Sequence, residues 1–102
     1  MTEAESYFRS LLETIPNVSA GAMFGALSMK LPNGKAAVMF KHDYLIVNLA
    51  RDDREQLLSL DGTGPFDPSG ARPMKDLIQI PFKYKAQWEH FAKLSIDNKL
   101  SN

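Results

Sequence analysis

The chain has 102 residues, of which 44% are hydrophobic, and its twelve basic and twelve acidic residues give a formal net charge of zero. This length and composition predict one folded domain, residues 1–102, and exclude a disordered tail. The absence of cysteine excludes disulfides and thiolate chemistry, and the balanced charge disfavours a nucleic-acid partner.

No membrane span or secretory leader is predicted. The sequence has no stretch approaching the ~20 apolar residues that a transmembrane helix needs. Its first ten residues, MTEAESYFRS, are acidic and amphipathic, whereas a leader starts basic and continues apolar. We therefore expect a soluble, cytoplasmic protein.

The chain opens with a predicted helix. Thr2 and Glu5 have the spacing of a capping box, which satisfies the first free amides of a helix. Pro16 should end the helix, because a proline disfavours helical geometry at the residue before it. Steps of three and four residues place one apolar stripe on its surface: Tyr7, Phe8, Leu11, Leu12 and Ile15.

Two tight turns then predict a three-stranded antiparallel meander. Asn33-Gly34 is the strongest short hairpin signal, and His42-Asp43 follows at the right distance for a second turn. Counting outward from both turns gives one apolar face with these pairs: Leu31–Ala36, Met29–Val38, Leu27–Phe40, Phe40–Leu45, Val38–Val47 and Ala36–Leu49. A slip of one residue would scatter these pairs over both faces, so the register is well specified.

The other face of the meander carries a modest apolar patch made by Met39, Tyr44 and Ile46. Two interpretations remain open. A loop or a chain end covers the patch or it is simply exposed, or the patch is a contact surface such as a dimer interface. We take these three residues as the candidate interaction surface.

The second half of the chain predicts a helix, two strands and a last helix. Asp52 and Glu55 repeat the capping-box spacing and open a short helix with Leu57, Leu58 and Leu60. Residues 65–67 predict a short edge strand, and MKDLIQIP, residues 74–81, predicts a strand with Ile78 and Ile80 inward. The last helix covers about residues 83–98, with one face formed by Trp88, Phe91, Ala92, Ser95 and Ile96.

These elements give the order α-β-β-β-α-β-β-α. It is typical of an α+β fold in which helices pack in one layer on an antiparallel sheet of about five strands.

Candidate catalytic residues are few. His42 and His90 are the only histidines, and neither has the spacing of a metal site or of a catalytic dyad. We interpret His42 as a residue of the predicted hairpin turn, and His90 as a surface residue at the edge of the last helix's apolar face. We expect no catalytic residue, no metal and no cofactor, so a hydrolase or metal enzyme is the least favoured alternative.

Basic residues in the second half offer a candidate surface for nucleic acid. The surface consists of Arg72, Lys75, Lys83 and Lys85. Tyr84 and Trp88 lie nearby, and aromatic side chains beside basic ones suit a nucleic-acid backbone. Asp76 interrupts the charges, however, and a solvated face is the simpler explanation.

Several short motifs occur in an order that resembles the TfoX (Sxy) N-terminal domain family. They are MFG at 23–25, NGKAA at 33–37, DYLIV at 43–47, GPF at 64–66 and RPMKDLIQIP at 72–81, followed by Trp88 in a closing helix. The resemblance covers roughly residues 8–96. It departs from the family at Ala26, where a second glycine often follows MFG.

The resemblance implies helices packed on a curved antiparallel sheet and a role in bacterial competence regulation through transcriptional partners. It implies no catalytic residue. We therefore expect a stand-alone, single-domain member that acts as a non-catalytic regulatory domain through protein contact, with a homodimer as one form of that contact. A nucleic-acid-associated accessory protein is the alternative.

Overall fold

Three helices and one six-stranded sheet are present in residues 2–23, 26–66 and 74–101, the part of the chain that the computed structural model describes. The helices are α1 (Glu3–Thr14), α2 (Arg51–Leu58) and α3 (Lys85–Ser101), the last preceded by a 3₁₀ turn at Phe82–Tyr84. The strands are β1 (Ser19–Met23), β2 (Ala26–Lys30), β3 (Ala36–Lys41), β4 (Tyr44–Asn48), β5 (Gly64–Phe66) and β6 (Met74–Pro81). The predicted α+β class, with helices on an antiparallel sheet, is confirmed.

The sheet has the strand order β1-β2-β3-β4-β6-β5, and all of its pairings are antiparallel. It has one strand more than predicted, because β1 pairs with β2 through Ala20–Met29 and Ala22–Leu27. The sequence of β1, SAGAM, contains no β-branched or aromatic residue, which are the residues that mark a strand in a sequence. The predicted edge strand lies at Gly64–Phe66, and Asp67 falls outside the described residues.

The turn between β2 and β3 differs from the predicted two-residue Asn33-Gly34 turn. Gly34 alone of that pair has a positive φ, 87°, and its N–H donates to the carbonyl of Leu31 at 2.9 Å. Pro32 and Asn33 are thus the central residues, since proline fixes the φ that the first central position of a type I turn requires. The longer turn comes with a register shift between Met29 and Lys30, so that Lys30 pairs with Ala36. The predicted pairs Leu27–Phe40 and Met29–Val38 are confirmed.

The second predicted turn is confirmed. His42 and Asp43 both have positive φ, 53° and 66°, as a type I′ turn requires. The predicted pairs of β3 with β4 follow, including Val38–Val47 and Phe40–Leu45. The hydroxyl of Thr2 donates to the Asp43 carboxylate at 2.7 Å, which joins this turn to the start of α1.

The substitution His42→Gly is expected to raise the free energy of unfolding by about 0.5–1 kcal/mol, because glycine adopts a positive φ without the steric cost that a Cβ imposes. The matched control is His90→Gly in α3, where the same change should lower the free energy of unfolding by about 0.5 kcal/mol. Urea unfolding followed by circular dichroism measures both. Destabilisation by both variants would contradict the argument from turn geometry.

The starts of α1 and α2 are built differently. Thr2 caps α1 as predicted, since its hydroxyl accepts from the Glu5 N–H at 3.1 Å. The capping box predicted at Asp52 and Glu55 is wrong: the N-cap is Ala50, two residues before Asp52, and no side chain caps the helix. Asp52 lies in the first turn instead, where its charge favours the helix dipole.

The hydrophobic core lies between the helices and one face of the sheet. Trp88 of α3 is fully buried at its centre, with ring centroids 5.4 Å from Phe82, 6.0 Å from Tyr7 and 6.2 Å from Phe40. Its indole N–H donates to the carbonyl of Pro81 at 3.2 Å. Aromatic residues from α1, β3 and the 3₁₀ turn therefore meet at one side chain of α3.

Hydrogen bonds from Ser95 and Asn98 fix the other half of α3 to the sheet. The hydroxyl of Ser95, which is fully buried, donates to the carbonyl of Ala37 and accepts from the N–H of Asn48 at 2.8 Å. The side-chain amide of Asn98 donates to the carbonyl of Asn48 at 3.2 Å. The predicted inward positions of Trp88 and Ser95 are confirmed by their complete burial.

Candidate interaction surface

The predicted contact surface on the second face of the sheet is not exposed. Met39 and Ile46 are only 4% and 1% exposed, and they form a separate hydrophobic cluster with Phe66, against which Leu77 packs. These four residues come from four neighbouring strands, β3, β4, β5 and β6. Tyr44, opposite Lys41 at the end of β4, is half-buried. The side chains of Met39 and Ile46 are therefore inside the chain's own fold and offer almost no surface to a partner.

The candidate basic surface is partly neutralised. Lys83 Nζ donates to the Asp61 carboxylate at 2.8 Å, and Lys85 Nζ lies 3.7 Å from the Glu3 carboxylate. The hydrogen bond from Lys83 lowers the pKa of Asp61 below its usual value, and the same bond raises the pKa of Lys83. Arg72 and the side chain of Lys75 lie outside the described residues. Both described lysines therefore have a carboxylate beside them, which reduces the positive charge that they offer to a phosphate backbone.

The two histidines lie on different elements and are both exposed. His42 is at the tip of the β3–β4 turn, and the ring of His90 lies 5.2 Å from that of Phe91 on α3. Across residues 2–23, 26–66 and 74–101, no three acidic or histidine side chains come together in a way that would hold a metal ion. Within the described residues, neither histidine is part of a cluster of carboxylates, which is the arrangement that would favour the enzyme alternative.

An apolar groove of about 460 Å³ lies where the end of α1, the β2–β3 turn and the last turns of α3 meet. We call it the α1–α3 groove. It is lined by Ile15, Pro16, Asn17, Leu31, Pro32, Lys93, Ile96, Asp97 and Leu100. Its volume is in the range of about 300–1,000 Å³ that is typical of binding clefts.

Local sequence explains each wall of the α1–α3 groove. Pro16 follows the last turn of α1, and Asn17 has a positive φ of 64°, which directs the chain towards β1. Pro32 sets the β2–β3 turn described above. The α3 wall consists of residues 93, 96, 97 and 100, whose spacing places them on one side of a helix.

The floor and the rim of the groove differ in exposure. Ile15 and Leu31 are each 4% exposed, so the floor belongs to the core. Leu100 is 60% exposed, more than Leu58 at 46%, the other exposed large hydrophobic residue of the described chain. Leu100 and the recess beside it together make a continuous apolar surface, and continuous apolar surfaces of this kind mark contact sites when they are large.

The charged groups at the groove are one cation and one anion on α3. Lys93 Nζ lies 3.1 Å from the Glu89 carboxylate, in a pair whose side chains are 54% and 41% exposed. Asp97 is one helical turn after Lys93 and is exposed. An exposed pair of this kind contributes little to stability, so Lys93 can change partner at small cost.

Sequence reasoning missed this groove. Its walls come from segments that are distant from one another in the sequence. In the sequence, Pro16 and Pro32 indicate only the ends of a helix and a strand. The one available signal was the spacing of Ile96 and Leu100, which continues the apolar pattern of α3 beyond the predicted end near residue 98.

Comparisons with family models, with curated proteins and with solved structures give no significant match. Among the described helices, none combines the length and the apolar character needed to cross a membrane.

Proposed function

We propose that the chain is a small non-catalytic domain that works by protein contact, and that the α1–α3 groove is its contact surface. The observation that carries the proposal is an apolar recess bordered by a largely exposed leucine, Leu100. A few residues that are fully desolvated near the centre of a contact supply most of the energy of binding. The partner offers an apolar side chain to the recess.

The resemblance to TfoX N-terminal domains supports a regulatory role, exerted through a transcriptional partner in the bacterial cytoplasm. The motifs behind it occupy structural positions: GPF forms β5, DYLIV enters β4, and Trp88 fills the core. The residues of the α1–α3 groove lie outside these motifs, and they supply a surface that is separate from the positions on which the resemblance rests.

The test is capture of partners by the immobilised chain from an extract of the cells that produce it, with Leu100→Glu compared with Leu58→Glu. Both variants place a carboxylate on an exposed leucine of a helix, but only position 100 borders the α1–α3 groove. We expect the wild type and Leu58→Glu to retain one and the same partner, which is either another protein or an untagged copy of the chain. It should be lost from Leu100→Glu.

Equal retention by both variants, or no retained protein with any of the three, would contradict the proposal. Circular dichroism at matched concentrations shows whether the two variants remain folded to the same extent. A partner lost from both variants would indicate a contact that does not involve the groove.

A further inference from the structure

We infer that the free edge of β1 is a second interaction surface, which binds an extended, acidic segment of another protein as an additional strand of the sheet. The inference goes beyond the proposed function, because β1 and the α1–α3 groove share no residue. It is argued from the backbone of β1 and from the position of the Lys30 side chain.

The outer side of β1 presents unpaired backbone groups. β1 is the first strand in the sheet order and pairs only with β2. Hydrogen bonding alternates along an antiparallel strand, so at least two of the five residues of β1 direct both their N–H and their C=O away from β2. Among the described residues, none makes a hydrogen bond to these outward groups. Such an edge is a template on which a further strand can pair.

The two edges of the sheet differ in their protection. β5, at the other edge, has only three residues, and its central residue Pro65 has no N–H to offer to a new strand. β1 is longer, and its sequence SAGAM contains neither a proline nor a charged residue. Ser19, Ala20 and Ala22 are exposed, and these small side chains leave space for those of an added strand. The β1 edge is therefore the more open of the two.

Lys30 determines which kind of strand this edge accepts. Its side chain crosses from β2 over Gly21, because a Cβ placed on Gly21 would lie only 2.6 Å from Cε and 2.7 Å from Cδ of Lys30. The ammonium group is one bond beyond Cε, so it is brought to the outermost strand. None of the ion pairs among the described residues includes Lys30. In a strand added to β1, an aspartate or glutamate opposite Gly21 lies beside this ammonium group and pairs with it.

A second copy of the chain is less suited to the same edge. A two-fold axis perpendicular to the sheet would join two β1 strands with both Lys30 side chains on the same face. When Gly21 of one copy meets Gly21 of the other, the two ammonium groups lie close to the axis and repel each other. Lysine at a sheet edge commonly prevents pairing between identical strands. The position of Lys30 thus favours an acidic strand from a different protein.

The experiment is selection of peptides from a phage library of random linear sequences, with the immobilised full chain carrying Leu100→Glu as the bait. This substitution places a charge at the rim of the α1–α3 groove and so disfavours peptides that bind there. We expect the selected peptides to contain aspartate or glutamate near the centre and to lack proline. At about ten times its Kd, such a peptide should slow hydrogen exchange of the outward amides of β1 about tenfold, as measured by NMR.

Charge reversal tests the role of Lys30. Lys30→Glu should weaken binding of an acidic peptide roughly fivefold to tenfold, because an attraction becomes a repulsion. A twin peptide with lysine in place of its acidic residue should bind Lys30→Glu as well as the acidic peptide binds the wild type. Lys93→Glu makes the same change of charge at the α1–α3 groove and is the matched control, with an affinity within about twofold of the wild type.

Selected peptides without acidic residues, or peptides that leave exchange in β1 unchanged, would overturn the inference. Slow exchange in β1 that develops without peptide at high protein concentration would also overturn it, since it identifies a second copy as the occupant. The proposed function fails or succeeds separately, because its partner is lost from Leu100→Glu and is retained by Lys30→Glu.

Discussion

Trp88→Ala is expected to lower the free energy of unfolding by about 4 kcal/mol, within the range for large-to-small changes at buried aromatic residues. Trp88 is completely buried and contacts the rings of Tyr7, Phe40 and Phe82. Its removal leaves a cavity shared by α1, the sheet and α3. The carbonyl of Pro81 also loses its hydrogen bond from the indole N–H.

Trp88→Phe is the graded variant, because it keeps an aromatic ring and loses only the second ring and the indole N–H. We expect it to cost less than half as much as alanine. Leu58→Ala, at a residue that is 46% exposed, is the control and should change the free energy of unfolding by about 0.5 kcal/mol or less. Urea unfolding at one fixed protein concentration measures all three, and equal losses for Trp88→Ala and Leu58→Ala would refute the assignment of Trp88 to the core.

Ser95→Ala is expected to lower the free energy of unfolding by about 3 kcal/mol, although it removes only one oxygen atom. That oxygen accepts from the N–H of Asn48 and donates to the carbonyl of Ala37. Both backbone groups lie under α3, where alanine leaves them without a partner. The cost is the desolvation of two polar groups, which exceeds the small loss of packing.

Ser28→Ala is the matched control, because Ser28 is buried just as completely as Ser95 but its hydroxyl has no hydrogen-bond partner within the described structure. Removing an unpaired buried hydroxyl should leave stability unchanged or raise it by up to about 1 kcal/mol. Opposite effects of the same substitution would show that the bonds of Ser95, and not burial itself, hold α3 on the sheet. Similar effects of the two variants would be inconsistent with this explanation.

Most of the sheet could be predicted because its turns are local. His42-Asp43 fixes the pairing of β3 with β4, and the predicted pairs Phe40–Leu45 and Val38–Val47 are present. The predicted pair Ala36–Leu49 is not part of the ladder, because β4 ends at Asn48. The predicted two-residue turn at Asn33-Gly34 was wrong because Pro32 occupies the first central position of the turn. The difference between the predicted and the observed turn changes the pairing only at the end of the hairpin. Strand β1 could not be predicted, since its small residues carry no strand signal and only β2 holds it in place.

The buried second cluster and the α1–α3 groove were harder to predict than the fold. Met39 and Ile46 alternate with core residues along their strands, and this pattern places them on the second face of the sheet. The pattern does not predict that Phe66 and Leu77 pack against them there. The α1–α3 groove depends on three segments that meet only in the folded chain. Exposure of an apolar residue is a property of the whole fold, so Leu100 could be recognised as a rim residue only from the structure.

The hydrogen bonds between α3 and the sheet also have a consequence for synthesis of the protein in the cell. The meander is complete once Asn48 has been made, but the helix that covers much of its apolar face extends through Asn98. At about 5–20 residues per second, that interval lasts roughly 2.5–10 s. The nascent chain therefore presents a paired but partly uncovered sheet for seconds, which makes this interval the one in which chaperones bind it or neighbouring chains aggregate with it.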